Sequence, residues 1–289
     1  MKFVPVMFLI IGFGLNVFSQ EKTYKPVMYP QEYKAELDVI YTKVKGWEGR
    51  MDLYTNPIAE QPTPIVINIH GGGWNHGVKE SQRGFKRFFK EGFAVANVEY
   101  RLVDVAPAPA AIEDVRCALI YIHKYAQELN IDTNKIVIMG SSAGGHLALM
   151  AGLLGNHKKF DENCSYKGEV KIAAIIDKYA PTDLSKIIKG SVKRWLGKKY
   201  KNIDFAKSVS PISYVDAISP PVIIIHGNED TIIPYQQSVL LYNKLREYNV
   251  KSKFIMVKGG GHGKFTKEKK SELSQKIWSF LTDLGLTAD

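Results

Sequence analysis

Six short stretches of this sequence are almost wholly apolar: residues 64–69, 93–98, 136–138, 172–176, 222–225 and 254–257. Strands covered on both faces read this way, because neither row of alternating side chains meets water. Between them lie helical patterns over residues 81–90, 110–129, 143–154, 235–248 and 266–284. Strand followed by helix, repeated along a chain, predicts an α/β fold with a mostly parallel, doubly wound sheet. Upstream, residues 36–41 and 49–54 alternate polar and apolar side chains around Lys45-Gly46-Trp47 and predict an antiparallel edge hairpin. Residues 182–219 are too long for an ordinary crossover and carry no strand pattern, which predicts a small cap-like insertion over the mouth of the sheet.

A chain of 289 residues with 45% hydrophobic content can bury one large core. The start, Met1-Lys2, the apolar stretch 3–18 and the small residue Ser19, reads as an export signal over residues 1–19, cut between Ser19 and Gln20. Residues 20–289 then form a single domain. The apolar stretch is shorter than the ~20 residues that span a bilayer, so an exported protein with no stable membrane insertion is expected. Of the two cysteines, Cys117 falls in a buried helical pattern and is expected as a free thiol, although export permits a bridge to Cys164.

No C-x-x-C, H-E-x-x-H or phosphate-loop spacing occurs, and Gly12-Phe13-Gly14 lies inside the export signal, so neither a metal nor a cofactor is expected. The formal charge of +10 concentrates in Lys186, Lys189, Lys193, Arg194, Lys198, Lys199, Lys201 and Lys207. Such a face can meet nucleic acid, a membrane surface or an anionic polymer, and more often is simply solvated. Nucleic acid is disfavoured because no basic and aromatic stacking pattern accompanies it. Nothing in the sequence fixes an oligomeric state.

Ligands of open α/β sheets bind beyond the carboxyl ends of the strands, and four such ends carry polar residues. After 64–69 comes His70-Gly71-Gly72-Gly73-Trp74, whose glycines let backbone N–H groups approach an oxyanion. After 136–138 comes Gly140-Ser141-Ser142-Ala143-Gly144, a G-x-S-x-G turn entering a helix. Glycines stand two residues either side of Ser142 but not of Ser141, so Ser142 is the candidate nucleophile, with the Ala143 N–H beside it. After 222–225 comes His226-Gly227-Asn228-Glu229-Asp230, in which Asp230, ahead of Glu229, suits a carboxylate that orients a histidine. After 254–257 comes Gly259-Gly260-Gly261-His262-Gly263. Of seven histidines, His123 and His146 lie within helices, His76 and His157 in surface segments, and His70 and His226 end strands and brace loops. His262, on a glycine loop with no core to fill, is the candidate base.

Ser142, Asp230 and His262 follow the chain order of the α/β-hydrolase fold. Together with His70–Trp74, Glu99-Tyr100-Arg101-Leu102, Glu113-Asp114, Trp195-Leu196-Gly197 and Ser210–Ser213, they make the chain resemble the hormone-sensitive-lipase-like esterases, and more closely the bacterial acetyl- and feruloyl-esterase-like carboxylesterases. The resemblance covers nearly the whole mature chain. It implies Ser142 as nucleophile, His262 as base and then acid, and Asp230 as the group that holds the imidazole. It also implies an oxyanion hole from the N–H groups of Gly72, Gly73 and Ala143, with Trp74 as an alternative to one glycine. One departure stands out: residues 103–109 replace the Pro-Glu-His-x-Phe-Pro stretch of the lipase-like relatives, so their acyl preferences do not transfer.

The expected activity is serine carboxylesterase, removing acetyl or feruloyl groups from polysaccharide through an acyl-enzyme, with uronate-bearing or sulfated glycans favoured by the lysines of 182–219. Alternatives are an arylformamidase- or exopeptidase-type amide hydrolase on the same fold and a non-catalytic glycan-binding relative.

Overall fold

The structure, a computed structural model, describes residues 24–287 except residue 165. The expected export signal at residues 1–19 lies outside the described residues. Among those described, no helix is long and apolar enough to cross a membrane.

One eight-stranded sheet runs through the molecule in the order β1-β2-β4-β3-β5-β6-β7-β8. The strands are β1 (Lys34–Val44), β2 (Trp47–Thr55), β3 (Thr63–Ile69), β4 (Ala94–Val98), β5 (Ile131–Ser141), β6 (Ala174–Lys178), β7 (Val222–Gly227) and β8 (Ser252–Val257). The first two form an antiparallel hairpin that joins the sheet through β2 and β4, and every later pairing is parallel. Lys45 and Gly46 both take positive φ, 48° and 84°, as a two-residue hairpin turn requires.

The side-chain period of two divides the strands between two apolar layers. Ile65, Ile67, Ile136, Ile138 and Ile224 face α2 (Ala110–Lys124), α3 (Ala143–Leu153) and α6 (Gln236–Glu247). Val66, Val137, Met139, Ile176 and Ile225 face the other way, toward α1 (Lys86–Lys90) and α7 (Lys267–Thr282). Buried on both sides, the parallel strands need no polar face, which is why their sequences are continuous apolar runs.

Three expectations on local structure are corrected. The helix expected over 81–90 shrinks to a 3-10 turn, Lys79–Ser81, and the short α1, with Gly84 between them. The helix expected over 110–129 ends at Lys124; Asn130 turns the chain at φ 54° and β5 begins at Ile131. Strand β6 sits two residues later than its apolar run, which draws Asp177 and Lys178 into the sheet.

Cys117 is not a free thiol; it is bonded to Cys164, with the Cα atoms 5.4 Å apart. The neighbouring Arg116 supplies the reason. Its buried guanidinium grips Asp161 through two hydrogen bonds of 2.8 and 2.7 Å and the carbonyls of Ala151 and Gly155 at 3.1 and 3.0 Å. That clamp lays the segment carrying Cys164 across α2. Closing a loop of sequence separation 47 stabilises the fold by about 4 kcal/mol on the chain-entropy account.

Residues 182–219 contain no strand. They hold α4 (Gly190–Leu196), α5 (Ile203–Ser208) and 3-10 turns, and they lie against the carboxyl end of the sheet.

Candidate active site

Strand β5 delivers the chain to Ser142 and α3 carries it away. Between them Ser142 has φ 54° and ψ −123°, a conformation that costs a non-glycine residue on the order of 1–3 kcal/mol. The surroundings hold it there: Ser142 N–H donates to the Lys178 carbonyl at 2.9 Å, and the Ser142 carbonyl accepts from His146 N–H at 3.0 Å. Space decides the flanking glycines. A Cβ on Gly140 would lie 2.2 Å from the Gly144 carbonyl oxygen, and one on Gly144 would lie 2.2 Å from that of Ile69.

The loops after β7 and β8 are tied together by their backbones. Asn228 N–H donates to the Val257 carbonyl at 3.1 Å and Glu229 N–H to that of Gly260 at 3.0 Å. This pairing buries Asp230 and leaves Glu229 exposed. His262 then stands between the loop and the turn, its Nδ1 2.7 Å from Asp230 Oδ2 and its Nε2 2.9 Å from Ser142 Oγ. The structure therefore brings Ser142, His262 and Asp230 into one hydrogen-bonded chain.

Asp230 accepts four hydrogen bonds. Besides His262, Oδ2 accepts from His226 Nε2 at 3.2 Å, while Oδ1 accepts from the N–H groups of Ile232 and Ile233 at 2.8 and 2.9 Å. Burial pushes this carboxyl up, but the hydrogen bonds from His226, His262 and Ile233 outweigh it and hold Asp230 well below the usual carboxylate range. An ionised Asp230 draws the imidazole proton to Nδ1 of His262, leaving Nε2 as an acceptor facing the serine hydroxyl.

His226 is the functional side chain whose importance sequence reasoning understated. Fully buried, it shares its Nε2–H between Asp230 and the Ile233 carbonyl, 3.1 Å away, and accepts from the Ser238 hydroxyl at Nδ1, 2.7 Å. The signal was the His-Gly-x-x-Asp spacing, which folds the two side chains onto each other across one turn. Tyr179 was also missed. It follows β6 at φ 47° and sets its ring edge-on to that of His262, centroids 4.7 Å apart.

The glycine loop after β3 turns back on itself, with φ of 121°, 58° and 59° at Gly72, Gly73 and Trp74. A Cβ on Gly72 would lie 1.9 Å from the His76 carbonyl oxygen. Gly72, Gly73 and Ala143 line one cleft of about 590 Å³ with Ser142 and His262. Tyr179, Pro181 and Ile232 make its apolar side; Asn75, His76, Ser191 and Arg194 make its polar side.

Trp74, at the edge of this cleft, is buried and its indole stacks on Trp195 of α4 with centroids 4.6 Å apart. His146 packs edge-on to both indoles, and its Nε2 donates to the Val209 carbonyl at 2.8 Å. Burial pushes its imidazole down to about 4, so it is neutral at pH 7. The 103–109 stretch joins the same cluster, through Val103 N–H to the Trp74 carbonyl and Ala108 N–H to that of Trp195, both 2.8 Å. His70 stacks on Tyr100 and donates from Nδ1 to the Gly71 carbonyl at 2.7 Å, which braces the glycine loop.

This geometry has relatives. The BD-FAE family model matches residues 51–245, more than half of the chain. Esterase LipC of Mycobacterium tuberculosis is 26% identical over 70% of the chain and 53% of its own length. Carboxylesterase NlhH of the same species is 35% identical over 43% of the chain and 41% of its own length. The chain spans about half the length of the curated relatives it matches. Among solved structures, a truncated carbohydrate esterase from gut microbiota superposes with a TM-score of 0.77 at 27% identity, over 89% of this chain and 98% of that one. Esterase 2 of Thermogutta terrifontis shares the fold, with a TM-score of 0.74 at 23% identity over 90% of this chain and 96% of its own. With its sheet order, its strand-to-helix serine turn and the match along 51–245, the chain belongs to the BD-FAE family and has the α/β-hydrolase fold.

Proposed function

We propose that this protein is an exported serine carboxylesterase that removes acetyl or feruloyl groups from polysaccharide. One observation carries the reading: Asp230, His262 and Ser142 are linked by hydrogen bonds of 2.7 and 2.9 Å at a cleft also lined by Gly72, Gly73 and Ala143.

In this reading Ser142 Oγ attacks the ester carbonyl while its proton passes to His262 Nε2. Charge builds on the former carbonyl oxygen, where the N–H groups of Gly72, Gly73 and Ala143 meet it. The tetrahedral intermediate collapses, the C–O bond to the sugar breaks, and His262 gives its proton to the departing alkoxide. Water then enters, loses a proton to His262 and attacks the acyl carbonyl. Collapse of the second intermediate restores the Ser142 hydroxyl and frees the acid. Asp230 stays ionised throughout, stabilising the imidazolium that forms twice per cycle, and His226 positions Asp230 from its other side.

The relatives support an ester substrate, one of the solved neighbours being a carbohydrate esterase. The exposed Arg194 at the polar side of the cleft and the lysines around it favour glycans carrying carboxylate or sulfate. The test has two parts. A fluorophosphonate must label Ser142 in the folded protein, and acetate or ferulate must be released from at least one natural polysaccharide. Labelling without ester release, combined with turnover of an aryl formamide or an aminoacyl substrate, would replace the esterase reading with an amide hydrolase.

A further inference from the structure

A second cavity, of about 420 Å³, lies between the sheet and helices α1 and α7, on the opposite side of Tyr179 and Gly263 from the catalytic cleft. Its size falls within the range of small-molecule sites. Its body is apolar: Phe85, Phe88, Met139, Leu273 and Trp278 are buried residues that line it. Its charges are all of one sign. Lys178, Arg87 and Lys270 line it, and no aspartate or glutamate does.

Lys178 is the unusual member. It lies two residues after Ile176 in β6, so both side chains leave the sheet on the α1 and α7 face. Burial pushes its ammonium below its ordinary value, and neither a hydrogen bond nor a neighbouring charge counters that. The side chain is only part-buried, and among the described residues no hydrogen bond or ion pair engages its Nζ, so a carboxylate entering the cavity would meet an unpaired ammonium. Arg87 is partly occupied, lying 4.9 Å over the Trp278 ring and 3.6 Å from Glu91, while Lys270 stands exposed at the rim.

We propose that this cavity binds a carboxylate carried on an apolar body, with Lys178 receiving the carboxylate and the Phe88 and Trp278 side receiving the body. Tyr179 forms the shared wall and touches the His262 ring, so occupancy would be felt at the catalytic imidazole; that coupling, unlike the binding, rests on the esterase reading. Two sources supply such a molecule: an aromatic acid released by ester hydrolysis, or an alkyl carboxylate from elsewhere.

Calorimetric titration of the Ser142→Ala protein with 3-phenylpropionate, octanoate, acetate and 3-phenylpropanol tests the binding in a form that turns nothing over. At least one of the two larger acids should bind, with acetate and the neutral alcohol weaker by roughly tenfold or more. Preference for 3-phenylpropionate marks the aromatic source, and preference for octanoate the alkyl one. Lys178→Met should weaken binding by a similar factor, and Ser274→Trp, which fills the cavity from α7 with Lys178 in place, should abolish it. Thermal unfolding of each variant checks its fold. Absence of saturable binding by either acid, or binding unchanged in Lys178→Met, overturns the proposal; if Lys178→Met does not fold, unchanged binding in Ser274→Trp does so instead. Neither result bears on whether Ser142 is a nucleophile, so the two readings fail separately.

Discussion

Where the glycine loop and the Ser142 turn meet the cleft, added Cβ atoms at Gly72, Gly140 and Gly144 would lie 1.9, 2.2 and 2.2 Å from carbonyl oxygens. Where residues 182–219 meet it, the anchors are side chains: Trp195 on Trp74, His146 on the Val209 carbonyl, and Ser210 Oγ accepting from Leu184 N–H at 2.8 Å. The first wall is set by backbone against backbone and has no room to drift. In the second, the buried anchors are separate from the residues facing the cleft, Ser191 and Arg194. Under the proposed function, chemistry and substrate choice fall to parts of the molecule that tolerate change very differently.

The largest effect expected is at the rigid wall. Ser142→Ala should lower kcat by about six orders of magnitude, as removal of a triad nucleophile does elsewhere, while leaving KM within a few-fold. Residual activity of more than a hundredth would mean that another group attacks. Next comes Asp230→Asn, expected to cost about 10⁴ in kcat because it stabilises the wrong imidazole tautomer. Glu229→Gln, at an exposed side chain, should change nothing; a reversal of the two outcomes would reassign the acid.

The side-chain wall offers the contrasting experiment. Trp195→Ala removes one half of a buried stack and should cost about 3–5 kcal/mol of stability, read by denaturant unfolding. In whatever protein remains folded, KM for a polysaccharide ester should rise more than kcat falls. Equal losses in both would show that the walls do not act separately.

The smallest effect concerns Asp177, behind the serine turn. Burial pushes its carboxyl up to about 7, offset only in part by the Ala180 N–H at 3.1 Å. A carboxyl raised on folding binds its proton more tightly in the folded state, so folded stability declines as pH rises from about 4 to about 7 and is level above that. Asp177→Asn keeps the acceptor without the charge, and should raise the melting temperature at pH 8 more than at pH 5. The opposite order would show that a partner satisfies the ionised group. At Asp230 the sign is reversed. Its lowered value contributes stability that is present above the ordinary carboxylate range and lost on acidification through it.

Legibility in the sequence follows the same division. The six parallel strands show as apolar runs because both faces are covered, and Ser142, Asp230 and His262 each lie a few residues beyond one of those runs. Glycines that a backbone demands leave a mark in the sequence. Side-chain partnerships do not. The bond between Cys117 and Cys164 depends on Arg116 gripping Asp161, and the second contact on Asp230 depends on the depth to which His226 is buried. The first has no periodicity or spacing of its own to read; the second shows only as the His-Gly-x-x-Asp spacing, which does not say that the histidine is buried against the carboxylate. The late register of β6 is similar: an aspartate and a lysine inside a strand look like its end.

Trp74, His146 and Trp195 come from three separate stretches, and each stretch also lines or supports the cleft. Exchanging the insertion for that of another family member is therefore a graft with one compatibility condition. The donor must bring a flat ring to the place of the indole at 195, or the glycine loop loses its backing; under the proposed function that would disturb the amides offered to the substrate as well as the surface that recognises it. Diversification of specificity on this scaffold should accordingly occur by recolouring the exposed face of the insert, with its inward-facing ring left alone.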